Sequence, residues 1–297
     1  MTAVGKVVFD TSSSSSPLHI MTVRHGRSTN NDILEDLFIQ EMDDQITSED
    51  RERLWLKNRV HDPDLTQTGK EEAIKLSQWL KNSNITTVKR LVVFTSPFKR
   101  TLDTTSGLLS LLNSKNYSVI VHPELYETGG VYSTGSKGER TGPGQCLSAK
   151  EISTNFSDYD VSMLPITGQW YTKGWENDQE SMARGTRIAN WMKSKDIRHT
   201  IAATAAPDDT RDVLVLMVMH GSIINHIQKA ILGIKENKEL YTTTTSNNYG
   251  KNQLVNFGTA NTATSLFTIS GGQVGVQWIG STIHLGLDSK RTILSRI

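Results

Sequence analysis

Apolar residues in this chain come in short dense runs, separated by polar stretches with helical spacing. Leu18 to Val23 is one such run, Leu91-Val-Val-Phe-Thr95 is another, and Asp212-Val-Leu-Val-Leu-Met-Val-Met219 is the strongest. Apolar runs of this length, bounded by turn residues, read as strands buried on both faces. The pattern predicts core strands at about 18–24, 91–95, 118–122, 213–219 and 265–269, with an edge strand near 274–279. Apolar positions three and four apart predict helices near 32–41, 48–58, 68–81, 99–113, 178–194 and 222–232. Strand and helix alternate from residue 18 onward without a linker or an internal repeat, so an α/β fold is expected. Its expected form is a three-layer α/β/α arrangement around a mostly parallel central sheet, in one domain over residues 18–297. Ser12 to Ser16 and Pro17 read as the end of a disordered lead-in over residues 1–17.

The ends of the strands carry the chemistry. The first runs into Arg24-His25-Gly26, and the strongest runs into His220-Gly221. Open α/β sheets bind ligands at the carboxyl edge of their strands. A histidine there, next to an arginine and to a glycine that permits close backbone approach, suits attack on a phosphate. The strand at 91–95 ends in Ser96-Pro97-Phe98-Lys99-Arg100-Thr101. Pro97 is expected in the first turn of the following helix, which brings Arg100 near the same edge. A guanidinium there can grip phosphate oxygens in a bidentate fork. Ser222 is expected to cap the helix after His220, and Thr66 the helix from Lys70 to Leu80.

Taken in order, these segments resemble the histidine phosphatase superfamily, in its phosphoglycerate mutase-like branch. The matching residues are Arg24-His25-Gly26-x-Ser28-x-x-Asn31, Leu65-Thr66-x-x-Gly69-x-x-x-Ala73, Ser96-Pro97-x-x-Arg100-Thr101, Leu125-x-Glu127, Glu180-Ser181-x-x-Arg184 and His220-Gly221. The resemblance implies that His25 takes the phosphoryl group as phosphohistidine, while Arg24, Arg100 and His220 hold its oxygens. Ser28 and Asn31 would line the pocket beside them, with Arg27 and Gly221 completing the substrate-binding set. Glu127 would protonate the leaving oxygen and then activate water; Glu124 is the alternative acid. Two arginines and a second, protonated histidine would supply the charge that phosphoryl transfer needs without a metal or other cofactor. One tautomer of His25 requires an acceptor for its other ring N–H, and a backbone carbonyl near Gly26 would serve. Like charge from the substrate dianion would raise the pKa of the carboxylic acid and suit it to general acid work.

Departures from the resemblance narrow the activity. The mutases carry a Gly-Gly-Leu-Thr-Gly-like segment and an Arg-Arg pair after the glutamate, where this chain has Thr128-Gly-Gly-Val-Tyr132 and no such pair. The acid phosphatase and phytase branch has arginine where Ser28 stands and a late His-Asp where this chain has His220-Gly221. The expectation is a metal-independent phosphomonoester hydrolase acting on a small phosphorylated metabolite or a phosphopeptide. A mutase or sugar bisphosphatase, and a non-catalytic phospho-ligand-binding relative, are the alternatives. Arg27 stands where many relatives carry glutamate, which hints at positive charge at the pocket rim and a second anionic group on the substrate.

Two further segments bear on specificity. The polar stretch at 32–64 is expected near the pocket mouth. Residues 128–177 are rich in Gly, Ser, Thr and aromatics, follow the candidate acid, and read as a cap; a surface insertion packing its own aromatics is the alternative. Arg184 is expected in a structural salt bridge, and His61, His122, His226 and His284 as structural residues.

Composition excludes several partners. With 32 Lys and Arg against 31 Asp and Glu the net charge is +1, and no basic stripe or aromatic-rich basic patch favours nucleic acid. No apolar stretch approaches a membrane span of about 18 residues, and residues 1–17 lack a signal-peptide core. The lone Cys146 excludes an internal disulfide and fits a reducing, cytoplasmic setting. Oligomeric state is left open.

Overall fold

A computed structural model describes residues 16–83, 89–114, 117–136, 138–205, 209, 211–234 and 255–286. The expected lead-in at 1–17, apart from its last two residues, lies outside them. In chain order the first elements are β1 (Leu18–Arg24), α1 (Thr29–Met42), α2 (Ser48–Asn58), α3 (Gln67–Asn82), β2 (Lys89–Thr95), α4 (Lys99–Leu109) and β3 (Tyr117–Val121). The insertion carries β4 (Tyr132–Thr134), β5 (Arg140–Pro143), α5 (Ala149–Asn155) and β6 (Tyr159–Asp160). Then follow α6 (Asp178–Lys193), α7 (Lys195–Ala203), β7 (Asp212–Met219), α8 (Gly221–Ile231), β8 (Thr264–Ser270) and β9 (Gln273–Ser281).

Seven strands form one sheet in the order β6-β3-β2-β7-β1-β8-β9. The first five run parallel, β8 lies antiparallel to β1, and β9 returns along β8. Every residue of β1 is buried, so its side chains feed two cores by period-2 alternation. Leu18 and Ile20 join Val92, Phe94, Val215 and Met217 beneath α6, α7 and α8. Met21 and Val23 join Leu91, Val93, Leu214 and Leu216 beneath α3 and α4. These two cores are the physical content of the α/β/α expectation.

A third cluster lies off the sheet. Trp170 and Tyr171 pack with Phe98, Leu102, Val121 and Tyr126, anchoring the 128–177 insertion on α4 and β3. Trp170 meets Phe98 edge-on at 5.7 Å, and Tyr171 meets Tyr126 at 5.0 Å. Among the described residues no helix is long and apolar enough to cross a membrane.

The strand and helix positions follow the sequence pattern closely, with corrections at the ends. Helix α8 begins at Gly221 with His220 as its N-cap, so Ser222 sits inside the first turn rather than capping it. Pro97 lies before the N-cap Phe98, not within α4. The sequence pattern did not predict α5 and α7: α5 is only 7 residues long, and α7, with Ile197 and Ile201 on its buried face, directly abuts α6 at Ser194.

Candidate active site

β2, β7 and β1 are adjacent and parallel, so their carboxyl ends emerge side by side. Arg24 pairs with Met219 across the ladder, and Thr95 with Val218. The residues just beyond, His25, Ser96 and His220, therefore meet at one edge. The His25 amide donates to the Met219 carbonyl at 2.9 Å, and the Ser96 amide to Val218 at 3.0 Å, extending the ladder into the site.

The His25 loop is clamped from below by α3. A Cβ on Gly26 would lie 2.4 Å from the Gly69 carbonyl oxygen, and one on Gly69 would lie 2.1 Å from the Arg27 carbonyl oxygen. Only glycine at both positions permits this approach. Thr66 caps α3 by accepting from the Gly69 amide at 3.1 Å, while its own hydroxyl donates to the Arg27 carbonyl at 3.1 Å. The Leu65-Thr66-x-x-Gly69 segment thus holds the loop that carries His25.

His25 is buried, and its Nδ1 lies 2.7 Å from the Gly26 carbonyl oxygen. A carbonyl only accepts, so Nδ1 carries the hydrogen and Nε2 keeps its lone pair. Burial, then the Arg100 and Arg24 charges, hold this imidazole well below its ordinary pKa of 6.5. The ring is therefore neutral and nucleophilic at neutral pH. Arg24 is buried and donates to the Thr259 carbonyl. Burial also lowers the pKa of Arg100, to about 10, against the opposing pull of Asp62, and the guanidinium stays charged. Arg100 stands 4.2 Å over the Phe98 ring and 3.8 Å from the Asp62 carboxylate. Asp62 itself is buried, accepts from the Lys99 amide at the start of α4, and is pushed up to about 6 by burial.

Asn31 and Ser28 shape one wall. The Asn31 Oδ1 accepts from the Ser28 amide and hydroxyl, both at 2.9 Å, and from the Asn261 amide group at 3.3 Å. With its oxygen so engaged, Asn31 offers a ligand only N–H donors. Asn261 also donates to the His25 carbonyl at 3.1 Å.

Glu127 follows β3 and faces the same space. Its Oε1 accepts from the Thr128 amide at 2.9 Å and from the Ile223 amide at 3.2 Å, in the first turn of α8. A carboxylate at a helix N-terminus is held by unsatisfied amides and by the helix dipole. Arg184 fixes this loop from behind. It is fully buried, pairs with Glu176 at 2.6 Å, and donates to the Glu124 and Tyr126 carbonyls at 2.7 and 2.8 Å. The expected salt bridge is thus present, and it props the chain that carries Glu127. Glu124 points elsewhere, onto Arg187 at 2.7 Å.

Arg24, His25, Ser28, Asn31, Arg100 and Glu127 all line one cavity of about 570 Å³. Three expected residues do not line it. His220 lies beneath the floor, fully buried, its ring 5.2 Å from that of His25 and its Nε2 2.9 Å from the Ser96 hydroxyl. Its protonation differs from expectation: burial, then Arg100 and His25, push its pKa well below 6.5, so it is neutral in the empty site. Its Nδ1 has no hydrogen-bond partner. Gly221 is the first residue of α8 and stands back from the cavity, which the next residue, Ser222, does line. Arg27 does not supply a free charge at the rim. Its guanidinium is consumed by ion pairs with Asp32 and Glu35 of α1, and its amide donates to Glu72 at 2.8 Å.

The mouth contains residues the sequence did not single out. Phe38, Arg51, Trp55 and Arg59 come from α1, α2 and the turn after it; Tyr132, Arg140 and Trp175 come from the insertion. His61, expected to be structural, also lines the cavity. His122 is packed against Phe94 and Trp191, and His226 against Gly185, as structural residues. His284 is hydrogen-bonded to Thr262. Asp62, Arg59 and Arg140 carried no motif; their only signal was a charge within segments expected near the mouth.

Residues 20–138 match the sequence model of the histidine phosphatase superfamily (branch 1). No curated protein sequence matches the chain. Among solved structures, an ecdysone phosphate phosphatase from Bombix mori is similar, with a TM-score of 0.52 at 14% identity over 88% of this chain and 92% of that one. An α-ribazole phosphatase from Shigella flexneri gives a TM-score of 0.47 at 14% identity, over 89% and 97% of the two chains. A phosphoserine phosphatase from Entamoeba histolytica gives 0.43 at 14% identity, over 90% and 99%. The first of these shares the fold with this chain.

Proposed function

Because residues 20–138 match the histidine phosphatase superfamily (branch 1), we propose that this chain is a phosphomonoester hydrolase working through a phosphohistidine on His25. One observation carries the reading. The Nδ1–H of His25 is tied to the Gly26 carbonyl, which leaves Nε2 as a free base beside two buried guanidiniums. Neutral nitrogen and fixed positive charge in one pocket are what phosphoryl transfer requires.

The step balances as follows. Nε2 attacks phosphorus, the P–N bond forms, and the P–O bond to the alcohol breaks. Glu127 in its acid form gives its proton to the departing oxygen. Glu127, now a carboxylate, takes a proton from water, and the hydroxide attacks phosphorus. The P–N bond breaks, its electron pair returns to Nε2, and inorganic phosphate leaves. Arg24, Arg100 and the N–H groups of Asn31 neutralise the equatorial oxygens throughout. Burial first, and then the Arg100 charge, keep His220 neutral, and a bound dianion offsets the second of these and favours its protonation. Its orphaned Nδ1 makes it a reserve hydrogen-bonding group of the floor.

A cytoplasmic setting is part of this proposal, supported by the lone Cys146, which leaves the chain no internal disulfide. The test is phosphate release from p-nitrophenyl phosphate without added metal, wild type beside His25→Ala. Turnover in wild type and its loss in the variant by about 10⁴-fold or more is expected. Near-equal rates in the two proteins overturn the reading.

A further inference from the structure

The cavity is much larger than a phosphate requires. At about 570 Å³ it falls in the range, roughly 300–1,000 Å³, that encloses a drug-sized ligand. A three-carbon alcohol would leave most of it to water. Thr128, Gly129 and Gly130, which follow Glu127 directly, also line it, and the leaving group departs on that side if Glu127 protonates its oxygen.

That outer space is lined by an alternating stack of cations and rings. The Arg59 guanidinium sits 3.9 Å over the Tyr132 ring. Arg140 lies 5.9 Å from the same ring and 4.6 Å over Trp175. Trp175 and Tyr132 in turn flank Gly129, two residues after Glu127. Phe38 and Trp55 line the same cavity.

The two guanidiniums are poorly compensated. Among the described residues Arg59 has no carboxylate within ion-pair distance; it donates instead to the Tyr132 carbonyl at 3.0 Å. Arg140 reaches Glu52 only at 3.5 Å, and its Nε is buried without a hydrogen-bond partner. Arg51, by contrast, is paired with Glu41, and Arg27 with two carboxylates. Partly burying two neighbouring cations with one carboxylate, Glu52, between them is costly, unless a ligand brings the missing charge. Planar guanidiniums stacked on rings present their edges, the geometry that grips a carboxylate or a second phosphate.

We infer that Arg59 and Arg140 form a second anion subsite, so that the substrate is a phosphomonoester of a bulky, planar apolar alcohol bearing a second anionic group. The phosphoryl end enters the Arg24/Arg100 pocket. The flat body lies against Trp55 and Trp175, and the distal anion meets Arg59 and Arg140. This rests on the phosphohydrolase reading of the same site.

The test compares 2-naphthyl phosphate with a series carrying a carboxylate at ring position 6, directly or on one- and two-carbon arms. The matching neutral carboxamides and 3-phosphoglycerate serve as controls. For wild type, kcat/KM for the best carboxylate should exceed that of its carboxamide about tenfold or more, chiefly through KM, and should exceed that of 3-phosphoglycerate. In Arg59→Gln and Arg140→Gln the carboxylate-to-carboxamide ratio should fall toward one. A purely structural role for these arginines predicts equal losses on both members of each pair, leaving the ratio intact. An unchanged ratio, or no carboxylate preference anywhere in the wild-type series, overturns the subsite while leaving the phosphohydrolase standing. Calorimetric binding of the same pairs to His25→Ala reads the preference without turnover. A preference seen there, and lost in His25→Ala/Arg59→Gln, supports the subsite even if the hydrolase reading fails; its absence counts against it.

Discussion

The inner and outer halves of this cavity are built by different means. The inner half is made at the tips of three neighbouring parallel strands, and its groups are tied to backbone: His25 to Gly26, Glu127 to Thr128 and Ile223, Asn31 to Ser28. The outer half is made by α1, α2 and the 128–177 insertion, and its cations stack on rings, with Arg51 also paired to Glu41 and Arg140 to Glu52. The sheet edge can fix a reacting nitrogen because every strand beneath it is buried and hydrogen-bonded on both sides. The outer wall is carried by segments that can change in length and composition without disturbing that ladder. Chemistry is invested in the part that cannot vary, and selectivity in the part that can.

Breaking the inner half should have the larger effects. Arg100→Ala removes a fixed charge at the developing oxyanions and should lower kcat/KM for p-nitrophenyl phosphate by about 10²–10³-fold, read in steady-state assays. Glu127→Gln should slow alkyl phosphates about 10²-fold or more, and aryl phosphates with good leaving groups much less. Equal losses on both would mean that Glu127 does not protonate the leaving oxygen. Gly69→Ala should destabilise the fold by roughly 1–3 kcal/mol in denaturant unfolding, since its Cβ has only the Arg27 backbone to meet. Gly142→Ala in the insertion, where a Cβ meets nothing within 4 Å, should change stability by no more than about 0.5 kcal/mol. A reversal of those two would break the contrast.

The smallest effect is on pH. In the proposed reaction His25 attacks as the neutral imidazole, and its folded-state pKa lies well below 6.5, so this form persists as pH falls past that value. The acid limb of kcat/KM should therefore lie below the range of free imidazole. An acid limb centred near 6.5 would show that burial and the two arginines do not depress this pKa. Tungstate binding should also be accompanied by proton uptake, measured calorimetrically in buffers of different ionisation enthalpy, because the dianion offsets the Arg100 charge that, after burial, keeps His220 neutral.

Most of the inner half was legible in the sequence. Buried strands announce themselves by local composition, and a histidine or arginine just past a strand end is placed by the ladder, whatever the loops do. The carbonyl acceptor for His25 could be anticipated for the same reason. What escaped depended on long-range placement. Asp62 reaches the start of α4 from a loop far away in sequence, and Arg59, from the turn after α2, converges with Arg140 of the insertion on Tyr132. Arg27 was misplaced because its neighbours on α1, Asp32 and Glu35, turn it away from the cavity. The cap of α8 was misplaced by two residues because the strand-to-helix turn places His220 itself at the N-cap, displacing the better-capping Ser222.

The central claim is that His25 carries the phosphoryl group. The most direct measurement mixes the Glu127→Gln protein with ³²P-labelled aryl phosphate, quenches in alkali with detergent, and maps the label to a peptide. The account predicts an acid-labile, alkali-stable label on the peptide containing His25, absent from His25→Ala. Turnover with no label on that peptide, or label that persists when His25 is replaced, would contradict it.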